Sequence, residues 1–179
     1  MKVIKNSIVL ILSLTVFTLQ SFQLPKNIQK KVDKEIKLAF EMESFTLESI
    51  SVSENVNEKL ITKITGHNFY KIKQNDSIFG YAFVDKAPSK AAQFDYLVLL
   101  DNQLIIKKSK VLIYREEYGG EISSKRWLKQ FVGKSAIDQL KYGKDIIAIS
   151  GATISARSMT LAVNNLFSTL EILQKNNTI

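Results

Sequence analysis

The spacing of apolar residues between Phe69 and Tyr114 constrains the fold most. Short apolar runs recur there, several with a period of two, and turn-forming residues separate them at positions 74–77 and 101–103. A period of two is typical of strands, because successive side chains point to opposite faces of a sheet. The pattern predicts an antiparallel meander of four or five strands, over residues 69–73, 78–84, 94–100, 104–106 and 111–114, with a loop at 86–90.

The segment before this meander has helical spacing, because its apolar residues recur every four positions. They predict an amphipathic helix over residues 24–40 and a shorter one over residues 54–64, with Ser53 as the N-cap of the second. Residues 24–66 are therefore predicted to be a helical N-terminal segment, and residues 67–175 the main domain. The expected buried stripes are Ile28, Val32, Ile36 and Phe40, and then Val56, Leu60 and Ile64.

The C-terminal third is predicted to be mainly helical. A short helix containing Trp127 is expected to end at Gly133, and a brief helix to cover residues 136–142. An apolar run at residues 146–149 predicts a strand. A last helix over residues 156–175 would bury one apolar face. A meander flanked by helices in this order predicts the α+β class.

Composition excludes several kinds of site. The 179-residue chain has no cysteine, which excludes disulfides, thiolate metal sites and a cysteine nucleophile. Its only histidine, His67, is predicted to lie in a turn, and no G-x-S-x-G motif provides a serine nucleophile. The net charge of +8 comes from lysines spread along the chain, so nucleic acid is not an expected partner. The densest run, Lys107, Lys108 and Lys110, is interpreted as a solvated strand edge.

The first 23 residues have the pattern of a signal peptide. Lys2 and Lys5 precede an apolar run at residues 8–19, and Ser21 provides a small residue for cleavage. The run is shorter than the roughly 20 residues that a membrane helix needs. We therefore expect export, with an uncleaved N-terminal anchor as the alternative.

A stretch rich in hydroxyl groups follows the predicted strand, with the sequence S-G-A-T-I-S at residues 150–155. Gly151 and Ala152 are small enough to let a phosphate approach, and the first N–H groups of the next helix would point at it. The same residues could instead form an ordinary N-cap, for which Ser and Thr are favoured. Arg115 and Arg126 could likewise meet a phosphate or flank a ring, or form surface ion pairs worth at most about 1 kcal/mol.

The S-G-A-T sequence, after an apolar run and before a helix, resembles the attachment motif of FMN-binding domain proteins. This domain occurs in the flavin subunits of the sodium-pumping quinone reductase and Rnf complexes. The likeness covers residues 69–172 and includes the meander, the Y-G-G-E turn at residues 118–121 and the Q-F-x-G sequence at residues 130–133. In that family a flavin transferase esterifies the last Thr of the motif to the FMN phosphate, outside the cytoplasm.

The resemblance therefore implies an FMN-binding domain over residues 67–175, with FMN linked covalently to Thr153. The residues around this threonine would supply room, backbone donors and a further contact to the phosphate. Ser150, Gly151 and Ala152 would supply the room and the backbone donors. Ser155 or Arg157 would add the further contact to the phosphate.

The flavin ring needs aromatic or apolar neighbours, and Tyr118 and Trp127 are the candidates, with Tyr114 behind them. One position departs from the family pattern. The motif usually has Asp three residues before its Ser, where this chain has Ile147, and the nearest acid is Asp145, two residues further upstream. The departure bears on how well the transferase would recognise this chain.

The resemblance implies an exported electron-transfer carrier, in the periplasm or on the outer face of the cytoplasmic membrane. Its partners would be a flavin transferase for loading and a membrane-bound redox protein. The alternative is a flavin-free binding or assembly module of the same fold, which Ile147 motivates. A stand-alone flavin reductase is a third hypothesis with less support, because the chain has no nicotinamide-binding G-x-G-x-x-G sequence.

Overall fold

A computed structural model describes residues 24–179. The predicted signal peptide, residues 1–23, lies outside the described residues. Among those that are described, no helix is both long and apolar enough to cross a bilayer. The fold is α+β, as predicted: one antiparallel sheet carries helices on both faces.

The sheet is a five-stranded meander in which each strand pairs with the next one along the chain. This confirms the predicted antiparallel topology. The order β1-β2-β3-β4-β5 leaves β1 and β5 at the two edges. The strands are β1 Thr46–Ser49, β2 Phe69–Gln74, β3 Ser77–Pro88, β4 Gln93–Asp101 and β5 Ile106–Ile113.

Three strand predictions were wrong in extent. Strand β3 continues to Pro88, so the predicted loop at residues 86–90 shortens to the connection at residues 89–92. Strand β5 is one strand where two were predicted, and it includes the lysine run. Lysines can continue an edge strand because their charged ends reach solvent or a partner. The strand order confirms that the lysine run lies at a sheet edge, but two of its lysines contact α1: Lys108 pairs with Glu35 at 2.5 Å, and Lys107 lies over the Phe40 ring at 5.4 Å.

Strand β1 was not predicted, because its four residues are exposed or half-buried and show no apolar alternation. It pairs with β2 in antiparallel register. The Glu48 carboxylate lies 3.0 Å from the Lys73 ammonium across the pair. The strand is specified by its partner rather than by its own hydrophobicity.

The N-terminal helices are α1, Lys26–Phe40, and α2, Glu54–Asn57. The first confirms the prediction and buries Ile28, Val32 and Ile36. The second is much shorter than the predicted 54–64. The Asn57 amide closes a loop instead: its Oδ1 accepts the Ile64 N–H at 2.9 Å, and its Nδ2 donates to the Ile64 carbonyl at 3.0 Å. Ser53 stands at the N-cap position without a side-chain capping bond.

The C-terminal part contains α3, Lys125–Leu128, and α4, Thr153–Lys175. Short 3₁₀ turns flank α3 at Gly120–Ser123 and Lys129–Phe131. The helix predicted over residues 136–142 is absent from the described chain. Asp138 accepts the Ser135 N–H there at 2.8 Å, and Gln139 has a positive φ of 42°, so the chain turns.

The predicted strand at residues 146–149 is also wrong, since only an isolated bridge joins Tyr142 to Ile146. The predicted last helix is confirmed, but it begins at Thr153, three residues earlier than expected. The last residue of the S-G-A-T sequence is therefore the first residue of a 23-residue helix. This start places the candidate site at a helix end.

The sheet separates two apolar cores. Helix α1 packs on one face, against residues that include Ile72, Leu97 and Leu99. Helix α4 and the segment around Trp127 pack on the other face, which holds most of the aromatic residues. Because α4 lies against strand β3 and buries residues such as Met159 and Val163 in this core, its first turn is fixed at one end of the sheet.

Gly80 lets α1 approach the sheet, and we predict that Gly80→Ala destabilises the fold. A Cβ at this position would lie 2.2 Å from the Leu100 carbonyl oxygen and 2.8 Å from the Phe40 ring. Overpacking of this kind costs about 1–3 kcal/mol. Gly120→Ala is the control, because nothing lies within 4 Å of its added Cβ. Urea unfolding checks the pair, and equal losses would contradict this account of the packing.

Candidate functional site

The S-G-A-T sequence forms the turn into α4. The N-cap position belongs to Ala152, which has no side-chain capping bond, so a hydroxyl cap at this helix start is wrong. The first intrahelical bond joins the Ala156 N–H to the Ala152 carbonyl at 2.9 Å. Within the described chain, the N–H groups of Thr153, Ile154 and Ser155 precede that bond and make no backbone hydrogen bond. The Thr153 side chain is exposed.

A hydrogen-bonded clamp on Ile147 fixes the approach to this turn. The Trp127 indole N–H donates to the Ile147 carbonyl at 2.8 Å, and the Ile147 N–H donates to the Gln130 side-chain oxygen at 2.8 Å. The Gln130 amide also donates to the Trp127 carbonyl at 3.0 Å. These side chains satisfy the backbone groups that a neighbouring strand would otherwise pair, which explains why residues 146–149 are not a strand.

The Gly119–Gly120 turn packs directly against the S-G-A-T turn. A Cβ on Gly119 would lie 2.7 Å from the Tyr114 hydroxyl and 3.2 Å from the Gly151 carbonyl oxygen, so only glycine fits. The Tyr114 hydroxyl donates to the Tyr118 carbonyl at 3.0 Å and lies 3.1 Å from the Ser155 hydroxyl. Tyr114 therefore connects the glycine turn to the first turn of α4.

A cleft of about 650 Å³ opens beside Thr153. This volume is within the range of about 300–1,000 Å³ that small-molecule sites occupy. One wall is the start of α4, and the other holds the Tyr118 side chain, which is 79% exposed. The remaining lining residues include Lys90, Ala91, Tyr114, Glu116 and Glu117.

Glu116 holds the loop that closes one side of this cleft. Its carboxylate accepts the N–H groups of Ala91 at 2.8 Å and Ala92 at 3.1 Å. Hydrogen bonds lower the pKa of Glu116 below its usual value. The largest effect comes from the Ser89 side chain, and the next largest from the Ala91 N–H. A lowered pKa favours the carboxylate, so this support for the loop is present at neutral pH and is lost as the pH falls through the lowered value.

The two predicted neighbours of the ring line different clefts beside the S-G-A-T turn. Tyr118 and Thr153 line the first cleft, whereas Trp127 and Ser150 line a second cleft of about 370 Å³. Trp127 is only 5% exposed and packs edge-on against Phe131. The structure therefore brings Gly151, Ala152, Thr153, Ser155, Tyr114 and Tyr118 together and places Trp127 and Ser150 apart from them.

The arginines make local contacts. Arg115 forms an ion pair with Asp95 and donates to the Gln93 carbonyl at 2.7 Å, so it is an ion-pair residue as interpreted, although the Asp95 partner is buried rather than at the surface. The Arg157 guanidinium lies 5.2 Å from the centre of the Tyr142 ring. Arg126 is exposed and lines the second cleft.

Sequence reasoning missed the far wall of the first cleft, formed by Lys90, Ala91, Glu116 and Glu117. These residues lie about 40 to 60 positions from Thr153 in the chain, and nothing in their spacing connects them to it. The predicted loop near residue 90 and the acidic pair after Arg115 were visible as separate features. Only the meander brings the two features to the same end of the sheet.

Comparison with known families identifies the chain. The model of the FMN-binding domain family matches residues 33–168, which is more than half of the chain. The chain belongs to this family, and the predicted resemblance is confirmed. It is an FMN-binding flavoprotein, with FMN as its cofactor. A search of curated proteins found no match.

The residues around Thr153 fit FMN. The free N–H groups at the start of α4 can bind a phosphate, because they point along the helix axis where the dipole is positive. The adjoining cleft has the size of a small-molecule site, and Tyr118 presents an exposed aromatic face in it. These residues would hold the phosphate at one end and the ring further along the cleft.

Gly119→Ala should destabilise the protein more than Gly133→Ala does. Both glycines have a positive φ, 82° and 80°, so both variants carry similar backbone strain. Only at Gly119 would the added Cβ meet neighbours, whereas nothing lies within 4 Å at Gly133. We expect an additional loss of about 1–3 kcal/mol for Gly119→Ala, measured by urea unfolding. Equal losses would show that the two turns are not in tight contact.

Proposed function

We propose that the protein is an exported electron-transfer carrier in which FMN is linked through its phosphate to Oγ1 of Thr153. The position of Thr153 carries this proposal. Thr153 is the first residue of α4, its side chain is exposed, and it lines the same cleft as Tyr118. A phosphate on this oxygen would therefore start at the helix N-terminus and lead into the cleft.

The position favours a phosphodiester. The negative charge of the linkage would lie beside the first N–H groups of α4, where the helix dipole contributes about 0.3–1 kcal/mol at an exposed site. In the loading step, the Thr153 hydroxyl loses its proton and its oxygen bonds to the flavin phosphorus. The bond between that phosphorus and the phosphate leaving group of a flavin dinucleotide donor breaks, and a nucleoside monophosphate and the proton are released to solvent. An exposed hydroxyl is accessible to the transferase that would catalyse this step.

The openness of the cleft supports electron transfer rather than conversion of a small substrate. Tyr118 is 79% exposed and Ile154 is 51% exposed, so a ring held between them would stay close to the protein surface. When bound, FMN supplies the redox chemistry, and the chain positions it. A ring near the surface can exchange electrons with a second protein that docks there.

Export gives the covalent link a purpose. The predicted signal peptide would carry the chain out of the cytoplasm, where a dissociated cofactor is diluted away. Even micromolar affinity, about −8 kcal/mol, would then retain FMN poorly. A bond to Thr153 makes ring docking intramolecular and removes this loss. The proposed partners are a flavin transferase for loading and a membrane-bound redox protein.

We expect Thr153→Ala to abolish covalent flavin. The protein is produced together with a flavin transferase, denatured, and examined by mass spectrometry and in-gel fluorescence. The wild type should carry one FMN, and the variant none, because the acceptor oxygen is gone. Thr46→Ala is the control, since Thr46 is an exposed threonine on the edge strand β1, away from the cleft.

Flavin that survives Thr153→Ala would show that another residue is the acceptor. Wild-type protein of unmodified mass would exclude the covalent link, although membership of the FMN-binding family would stand. The same spectrum reports whether the predicted signal peptide has been removed. It therefore tests loading and processing separately.

Ile147→Asp should increase the rate of loading. Ile147 is 66% exposed, and its backbone groups are already bonded to Trp127 and Gln130, so the substitution restores the acid that the family usually has here without disturbing the clamp. Ile137→Asp is the matched control, because Ile137 is 92% exposed and lies outside both clefts. If both variants load at the wild-type rate, the transferase does not recognise the side chain at position 147.

A further inference from the structure

A basic groove runs along the β5 edge of the sheet, away from the flavin cleft. It has a volume of about 430 Å³ and lies between α1 on one side and α3 on the other. Five lysines line it, from four separate elements: Lys34, Lys108, Lys110, Lys125 and Lys129. The site described above uses none of them.

The charge in this groove is largely uncompensated. Glu35 is the one acidic residue among the lining residues of the groove, and it pairs with Lys108 at 2.5 Å. The other four lysines form no ion pair within residues 24–179. Four lysines without an acidic partner along one groove give it a positive potential, which an anionic partner would neutralise.

Apolar side chains accompany the charge. Leu38 on the α1 wall is 59% exposed, and Val132 on the opposite wall is 45% exposed. Lysines around exposed aliphatic residues are the combination that binds the surface of an anionic bilayer, where ammonium groups meet headgroups and aliphatic groups enter the boundary layer.

The backbone of β5 is poorly placed to bind a peptide as an added strand. Two register irregularities interrupt its pairing with β4. The edge is further occupied, because Ile106 exchanges backbone bonds with Gly133 and Lys134, and Lys31 donates to the Leu112 carbonyl. Bulges and covered edges oppose strand addition, so the side chains are what a partner would contact.

We propose that this groove is a docking surface for an anionic lipid bilayer. The chain upstream agrees with this assignment: α1, which supplies one wall, follows an N-terminal sequence with an apolar run at residues 8–19. The groove orients the domain on the membrane. That membrane is the one at which the N-terminal sequence would be cleaved, or in which it would stay as an anchor. The proposal rests on the proposed export for its setting, but binding to vesicles requires neither flavin nor Thr153.

The test compares vesicles of phosphatidylcholine alone with vesicles that also contain phosphatidylglycerol. Partitioning of the full-length chain into each type of vesicle is measured by co-sedimentation. The quantity compared is the ratio of binding to anionic vesicles over binding to phosphatidylcholine vesicles, because the N-terminal apolar run contributes equally to the two and cancels. The wild type should prefer the anionic vesicles. Lys34→Gln/Lys125→Gln/Lys129→Gln should lower this ratio by about 100-fold, since each lysine near an anionic surface changes binding about fivefold.

The matched control is Lys59→Gln/Lys144→Gln/Lys175→Gln, which removes the same net charge from exposed positions outside the groove. It should keep most of the preference, and circular dichroism should show both variants folded. Equal losses in the two triple variants would overturn the proposal, because net charge alone would then explain binding. A wild type that ignores anionic vesicles but binds a soluble polyglutamate peptide would also overturn it and assign the groove to an acidic protein.

The failure of this proposal and that of the proposed function are distinguishable. Thr153→Ala leaves the vesicle ratio unchanged if the groove alone sets it, and the groove variant leaves the acceptor oxygen intact. A lost flavin with normal vesicle binding would contradict only the flavin linkage. Normal flavin without anionic preference would contradict only the docking surface.

Discussion

The site depends on how the chain between Ile146 and Ala152 is held without a neighbouring strand. Ile146 is fully buried, but the next residue already faces solvent. Two side chains from the α3 region, Trp127 and Gln130, bond to the N–H and the carbonyl of Ile147 and take the place of a strand partner. The turn that leads into α4 is therefore positioned by side chains, and changes in the α3 region would be transmitted to it.

The same turn is supported from the other side by a close backbone contact. Gly119 lies against the Gly151 carbonyl, and the Tyr114 hydroxyl connects the Tyr118 carbonyl to Ser155. Two separate parts of the chain thus meet at the start of α4, one after β5 and one around α3. The cleft that Thr153 lines lies next to this meeting point.

Much of this arrangement could be predicted from the sequence. The alternation after Phe69 predicts the meander, and the four-residue spacing before it predicts α1, because both patterns reflect burial on one face. The motif at residues 150–153 is weak evidence by itself, but together with the order of the elements around it and the predicted signal peptide it indicates the family. Thr153 could therefore be named as the candidate acceptor before any geometry was known.

The errors have a common cause, which is that local patterns do not report side-chain bonds to the backbone. The Asn57 side chain bonds to the Ile64 N–H where α2 was expected to continue. The Gln130 side chain bonds to the N–H of Ile147, in the apolar run that was predicted to be a strand. Neither bond has a signature in its own neighbourhood. The separation of Tyr118 from Trp127 could not be foreseen either, because the two residues are close together in the sequence but line different clefts.

The identity of the residue at the start of α4 has a consequence for any group attached to it. Threonine is branched at Cβ, and such a side chain has few χ1 rotamers, so its oxygen points in a narrow set of directions. A serine at position 153 would have more χ1 rotamers, and its oxygen would point in a wider range of directions. Because Thr153 is the first residue of a 23-residue helix packed on the sheet, the directions of its oxygen are set relative to the sheet. A phosphate bonded to this oxygen would therefore leave the helix end in one of a few directions.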